Sequence, residues 1–323
     1  MPVENVSTVI LISPNFYSAD FQAMGSACQL SYRADSLESA QGFYQDVMCW
    51  VNNFEARYSR YNAGSLTNEI NRNAGKGWVE IDAETDKIFA LCDWAVSVSK
   101  GCFDPSALPL IQLWDYKTVR TKIPDAEAIN AALSLVGWTS IERKKGKIRL
   151  PLKGMGIDIG GIGKEYTVDR VLEMALEHGI KNILVDFGQD LRAHGEPPEG
   201  GPWRIGLEDP SEPGRCWSGV AVQDGSVATS GDYRRNFLLN GQRYGHIIDP
   251  RSGYPVSNHC LAASVIAPHC TVAGVLSTAA FILGPDMGLN LIENQDQAEG
   301  CIVTETDRRE TTKFNMFFIP QSQ

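Results

Sequence analysis

The stretch from Gly156 to Arg170 constrains this chain more than any other: Gly-Ile-Asp-Ile-Gly-Gly-Ile-Gly-Lys-Glu-Tyr-Thr-Val-Asp-Arg. Its apolar start predicts a short strand, its glycines a tight turn, and the run that follows the first turns of a helix. Glycine lets backbone approach a ligand closely, because no Cβ intervenes and positive φ costs little. A helix N-terminus beyond it offers unpaired N–H groups and positive dipole, which suit phosphate. Asp158 precedes the glycines and Lys164 follows them, so both charge signs meet at one turn. A packing turn in an ordinary α/β unit fits the same residues. The Gly-x-Gly-x-x-Gly spacing of dinucleotide folds is absent.

At 323 residues the chain can bury a sizeable core, and 43% apolar with 21% charged residues is ordinary for a globular protein. A net charge of −10 argues against a general nucleic-acid or anionic-membrane partner. A local basic pocket for a small anion remains compatible with it. The eight cysteines are scattered without a Cys-x-x-Cys pair. That pattern predicts core thiols in a reducing compartment, neither structural zinc nor a disulfide framework. Met1–Val6 lacks a basic n-region, and no lipobox-like cysteine follows, so the expected location is cytoplasmic, or periplasmic had a leader been removed. No apolar run reaches the ~18 residues of a membrane span.

Along the chain, Val9–Ile12 reads as a first strand and residues 18–34 as a strand around Met24–Leu30. Apolar positions Phe43, Val47, Trp50, Val51 and Phe54 predict an amphipathic helix over 36–58. A polar loop, Tyr58 to Ser65, contains Arg60 and Tyr61, and Ser65 is an expected N-cap for a short helix. A helix over 83–99 leads into Cys102-Phe103-Asp104-Pro105, where Pro105 and Pro109 predict an extended segment without regular helix. Further helices are expected over 125–136, 167–178 and 271–283. Strands are expected over 138–142, 147–152, 182–187, 203–207, 219–222, 261–267, 301–305 and 314–319. With no repeat or linker, residues 1–323 read as one continuous α+β unit, open to subdivision into two lobes.

Four stretches carry chemistry. Besides the central turn, Ala228 to Arg235 places hydroxyls and a glycine beside two arginines. His246-Ile247-Ile248-Asp249-Pro250 offers a histidine able to move protons near neutral pH, or a satisfied core histidine. The small-residue helix carrying Ser277 and Thr278 reads first as a close-packing surface.

Taken together and in order, these stretches resemble the FAD:protein FMN transferases, the ApbE-type flavin transferases. The matching pieces are Met24-Gly25, Ser59-x-Tyr61-x-x-x-Ser65, Phe103-Asp104-Pro105-Ser106 with Pro109-Leu110, and Asp158 to Lys164. Ala228 to Arg234 and His246 to Gly253 complete them. The resemblance implies a mixed, mostly antiparallel α+β fold with an FAD cleft between two lobes. It implies that Met24, Tyr61, Cys102, Phe103, Asp104, Asp158, Lys164 and Ile248 line the FAD site. It further implies that His246 is the catalytic base, that Lys164 and the turn amides hold oxyanions, and that Gly161 (through its carbonyl) and Thr278 ligate Mg²⁺. The implied reaction moves FMN from FAD to a threonine of an acceptor flavoprotein and releases AMP.

The chain departs from that pattern in four places. Gly274 stands where an aspartate usually lies four residues before Thr278. Gly161 replaces a frequent alanine, and Glu165 and Gln189 replace usual glycines. Glu165 brings negative charge toward a pyrophosphate site, the wrong sign unless it faces away. Gly274 keeps two alternatives in view: a relative that holds FAD or another nucleotide without turnover, and a metal-dependent FAD pyrophosphatase.

Overall fold

Nine strands build one sheet in which each spatial neighbour is also the next strand of that sheet in the chain. They are Ile10–Ser13, Phe16–Ala23, Ser26–Arg33, Ile183–Phe187, Asp190–His194, Gly225–Gly231, Cys260–Ala267, Glu299–Thr304 and Arg308–Glu310. Every pairing between them is antiparallel. The computed structural model describes residues 8–115, 117–118 and 122–319; the expectation for Met1–Val6 lies outside them.

Eight helices accompany the sheet among the described residues: α1 (Leu37–Tyr58), α2 (Leu66–Arg72), α3 (Ala83–Val98), α4 (Leu108–Leu113), α5 (Ala126–Leu133), α6 (Gly160–Glu177), α7 (Cys270–Leu283) and α8 (Pro285–Glu293). Ser36, Ser65, Asp82 and Asp125 cap α1, α2, α3 and α5 by accepting a bond from the amide three residues on. The aromatic stripe of α1 and the apolar face of α6 cover one end of the sheet, with Phe21, Tyr32, Phe43, Val168 and Phe187 in one core. Small residues let α7 lie close on its strands, where Ala273, Leu276 and Ala280 meet Ala228, Ala263 and Val265. The α+β class and its antiparallel pairing are as the sequence implies.

Several local expectations change. Residues 18–34 are a hairpin, because Met24 (φ 53°) and Gly25 (φ 71°) both turn left-handed between the two strands. Pro109 does not prevent helix but sits in the first turn of α4, where its missing N–H removes no helical bond. Ile157 to Ile159 form no strand; Gly156 makes a single bridge to Ala107, and α6 begins at Gly160. The glycines are therefore the first helical turn itself. Residues 138–140 and 314–317 are short 3₁₀ turns where strands were expected. The helix α8 went unread.

One buried carboxylate sets how α6 and α7 meet. Asp169 accepts from the Cys270 amide (2.8 Å), the Thr271 amide (2.9 Å) and the Thr271 hydroxyl (2.8 Å), and it pairs with Arg192 at 2.8 Å. The late part of α6 is thereby tied to the start of α7, so the helices run antiparallel. One turn earlier on α6 and one turn later on α7, Glu165 lies against Gly274, whose ideal Cβ would stand 2.5 Å from Glu165 Cγ. By helical periodicity Gly161 lies one further turn toward the start of α6 and Thr278 one further turn along α7, on the stripes that carry Glu165 and Gly274. Asp169→Ala strands Arg192 and uncaps α7, with an expected loss of about 3–5 kcal/mol. Urea denaturation checks this; a loss below ~1 kcal/mol would show that the carboxylate does not hold the register.

Candidate active site

The N-terminus of α6 is dressed by its own preceding residue. Asp158 Oδ1 accepts from the Gly160 amide at 2.9 Å, and Asp158 Oδ2 pairs with Arg60 Nε at 2.8 Å. Arg60 then lies 4.4 Å from the Tyr61 ring centre and donates to the Tyr61 hydroxyl at 2.7 Å. Tyr61 is 70% exposed, and Lys117 Nζ also lies over its ring, 5.1 Å from the centre. The sequence singled out Tyr61 and Asp158; the arginine that joins them was visible only as part of a polar loop.

Behind this turn the charges run deeper. Lys164 Nζ pairs with Asp190 at 2.5 Å and donates to the Gly188 carbonyl at 3.4 Å. Burial works against its charge, yet Asp190 and Glu165 together hold its pKa above the ordinary lysine value. Burial, and then Asp190, push the Glu165 carboxyl well above the usual carboxylate range. Burial likewise raises Asp186, whose Oδ1 accepts from the Gln189 amide at 2.8 Å. Gln189 sits at φ 71°, the left-handed conformation for which glycine is the easier residue. Glu165 thus faces the α6–α7 interface, away from the open end of the helix.

On α7, Ser230 Oγ lies 2.8 Å from Ser277 Oγ and 2.9 Å from Thr278 Oγ1, forming a hydroxyl cluster. Ser230 belongs to the strand Gly225–Gly231, whose continuation leads to Asp232. An ideal Cβ on Gly245 would stand 2.6 Å from Asp232, so only glycine lets this strand end abut the residue before His246. The His246 Nδ1 lies 3.2 Å from the Arg235 carbonyl. A carbonyl only accepts, so this contact places the proton of the neutral ring on Nδ1. Burial, then the Arg235 charge, lower the His246 pKa to about 4, and the carbonyl bond only partly opposes them.

The remaining expected residues frame these groups. Met24, in its left-handed turn, donates its amide to Glu55 at 2.9 Å. Phe103 lies flat enough on Gly161 that an added Cβ would meet its ring at 3.0 Å, which accounts for glycine there. Asp104 is occupied internally: Oδ1 accepts from the Ser106 amide and hydroxyl, and Oδ2 from the Trp138 amide at 3.1 Å. It shapes the loop that presents Phe103. Cys102 is buried with Ala279 and Ile282 of α7, against Ile247 and Val256. Ile248 pairs with Pro255 in a two-residue ribbon alongside. Arg60 with Asp158, Phe103 with Gly161, and Lys164 with Asp190 therefore form groups along the first turns of α6, while Thr278 belongs to the hydroxyl cluster on α7. Thr229, in the strand centre, spends its hydroxyl on Ser264 at 2.8 Å.

Comparison with known proteins decides the family. Residues 24–302 match the model of the ApbE family. The chain belongs to the ApbE family. The FAD:protein FMN transferase of Haemophilus influenzae is 29% identical over 308 residues, covering 92% of this chain and 89% of the relative. That of Treponema pallidum is 27% identical, covering 85% and 81%. Among solved structures, the ApbE protein of Thermotoga maritima superposes with a TM-score of 0.85 at 28% identity, covering 94% of this chain and 99% of its own. The apo flavinyl transferase ApbE of Pseudomonas stutzeri gives 0.84 at 27% identity, covering 94% and 96%.

The ApbE-type site here surrounds one ammonium with three acids, and that arrangement is testable. In Lys164→Met, Asp190 loses its partner beside Glu165 and Asp186, and the folded state takes up more protons than the unfolded chain. Stability then falls as pH rises. The variant is expected to lose about 3 kcal/mol at pH 7.5 and clearly less at pH 5. Denaturant melts at both values check it, and a pH-independent loss would contradict it.

Proposed function

We propose that this chain is an FAD:protein FMN transferase that joins the FMN half of FAD to a threonine hydroxyl of an acceptor protein and releases AMP. One observation supports it most: the match to the ApbE family over residues 24–302, in a chain that also holds a neutral histidine, a glycine-rich helix N-terminus and a hydroxyl cluster. The reading takes residues 1–323 as one unit whose lobes border the FAD cleft. Tyr61, Met24, Phe103 and Ile248 offer apolar faces for the rings, while Cys102 and Asp104 hold the loop that carries Phe103. The α6 amides and dipole face the pyrophosphate, and Arg60 offsets the Asp158 charge there. Lys164 acts from behind through its field, since Asp190 holds its ammonium.

In the reaction the acceptor hydroxyl oxygen bonds to the FMN phosphorus as the bond from that phosphorus to the AMP-side oxygen breaks. The hydroxyl proton passes to His246, whose Nδ1 keeps its own proton on the Arg235 carbonyl, leaving Nε2 with the lone pair. Phosphoryl transfer of this kind depends mainly on positioning and on offsetting charge at the phosphate oxygens. The donors available for Mg²⁺ are all oxygens: the Gly161 carbonyl, the Thr278, Ser277 and Ser230 hydroxyls, and Glu165, whose buried Oε2 has no hydrogen-bond partner. Such a set suits magnesium, which accepts few carboxylates and completes its shell with water and phosphate. When bound, the ion supplies positive charge at the pyrophosphate.

No described helix is long and apolar enough to cross a membrane. The six buried cysteines, all free, fit the cytoplasm as the site of action.

Incubation with FAD, Mg²⁺ and an acceptor protein should yield acid-stable covalent flavin and equimolar AMP. Bound FAD without covalent flavin on any acceptor would overturn the proposal. AMP with free FMN in the absence of acceptor would assign a pyrophosphatase instead. His246→Ala is expected to lower kcat by ~10²–10⁴-fold. Because the lowered pKa keeps His246 in its base form down to about 4, the acid limb of the kcat/KM profile should fall there, not near 6.5. A limb near 6.5 would overturn the lowered pKa of His246.

A further inference from the structure

We propose that Glu165 delivers from α6 the carboxylate that position 274 of α7 lacks, so that this chain builds its divalent-cation site from Gly161, Glu165 and Thr278 across the helix interface. The inference deepens the transferase reading and rests on it. Three observations carry it, all read from the chain itself.

The first is shared volume. An ideal Cβ on Gly274 would lie 2.5 Å from Glu165 Cγ, 3.0 Å from its Cδ and 3.1 Å from Oε1. The Glu165 carboxyl therefore fills the space into which any side chain at 274 would grow. With Glu165 in this conformation a side chain at 274 would collide with it, and glycine at 274 leaves room for the glutamate. The two departures noted in the sequence are one exchange: a carboxylate moved from one helix to its neighbour.

The second is an unanswered oxygen. Glu165 is 8% exposed, and its Oε2 has no hydrogen-bond partner. A buried carboxyl oxygen without a partner is costly even in the neutral form that burial and Asp190 favour here, and a bound cation would answer it. Lys164, the nearest candidate to do so, is held by Asp190 at 2.5 Å and by the Gly188 carbonyl.

The third is register. The Asp169 tie to Cys270 and Thr271 runs the helices antiparallel, so Glu165 stands one turn from Gly161 on α6, and Gly274 one turn from Thr278 on α7. Carboxylate, carbonyl and hydroxyl are thus on facing stripes of the same interface. Among the described residues no three of His, Cys, Asp and Glu form a chelating group. A site with one carboxylate, a carbonyl and a hydroxyl leaves the remaining positions to water and phosphate, which is magnesium's habit.

The test titrates the full chain with Mn²⁺, read by the EPR signal of free ion, with and without FAD, alongside thermal melts. Glu165→Gln keeps the shape and removes the charge; it should weaken Mn²⁺ binding at least ~10-fold. Glu165→Gly combined with Gly274→Asp returns the carboxylate to α7 and should recover the parental affinity, whereas Gly274→Asp alone should lower the melting temperature by collision with Glu165. Unchanged Mn²⁺ affinity in Glu165→Gln overturns the assignment while leaving the transferase reading standing. A folded double variant that stays weak overturns the exchange of positions. A parent that binds no Mn²⁺ even with FAD removes the metal from the reading above, and this assignment with it.

Discussion

The site depends on the grip of Asp169 on the start of α7. Two backbone amides and a hydroxyl converge on one carboxylate, and Arg192 balances its charge. Packing of α6 across a residue as small as Gly274 would by itself permit sliding, since glycine presents little relief to lock. Bonds to the first amides of a helix do not slide. They select one turn of α6 for one turn of α7, and the contact of Glu165 with Gly274 follows from that choice.

Around this fixed interface the charges divide into an outer and an inner layer. Outside, Arg60 and Asp158 form a pair at the mouth of α6, with Tyr61 above it. Inside, Lys164 stands among Asp190, Glu165 and Asp186, where burial disfavours every uncompensated carboxylate. In the proposed transferase the outer layer would meet the nucleotide, with the inner layer setting the field behind it. His246 belongs to neither: its uncharged state is set by burial and by Arg235, from the opposite strand end.

Much of this was legible in the sequence, and the unread parts share a physical cause. The caps at Ser65 and Asp82, the stripe of α1 and the bounds of α7 are local signals, and the structure repeats them closely. The glycine run reads in the sequence as a turn before a helix because glycine tolerates positive φ and close backbone approach. Here it opens α6, since Phe103 crowds Gly161 and Ile159 accepts the Gly163 amide at 2.7 Å. Asp104 reads in the sequence as a turn former or a ligand contact, and its carboxylate accepts from Ser106 in its own loop and from the distant Trp138 amide. Glu165 looked misplaced beside an anion site because its orientation depends on a residue more than a hundred positions away. Gly274, read alone, was only a missing ligand. Tertiary pairs of this sort leave no mark in either local stretch.

The sheet itself has a consequence for how the chain reaches this state. Its strands follow one another in order, yet residues 34–182 lie between Arg33 and Ile183, which flank one antiparallel pairing. The hairpin Phe16–Arg33 emerges early in synthesis with one edge open, and it waits for a partner that is made much later. That closure carries the large entropic cost of a long loop and raises the contact order. Since α1 to α6 all lie within the insertion, the turn at Gly160 takes its final place only when the sheet closes around it. Assembly of the nucleotide end and completion of the sheet are then a single late event, and the waiting edge is where premature self-association would begin.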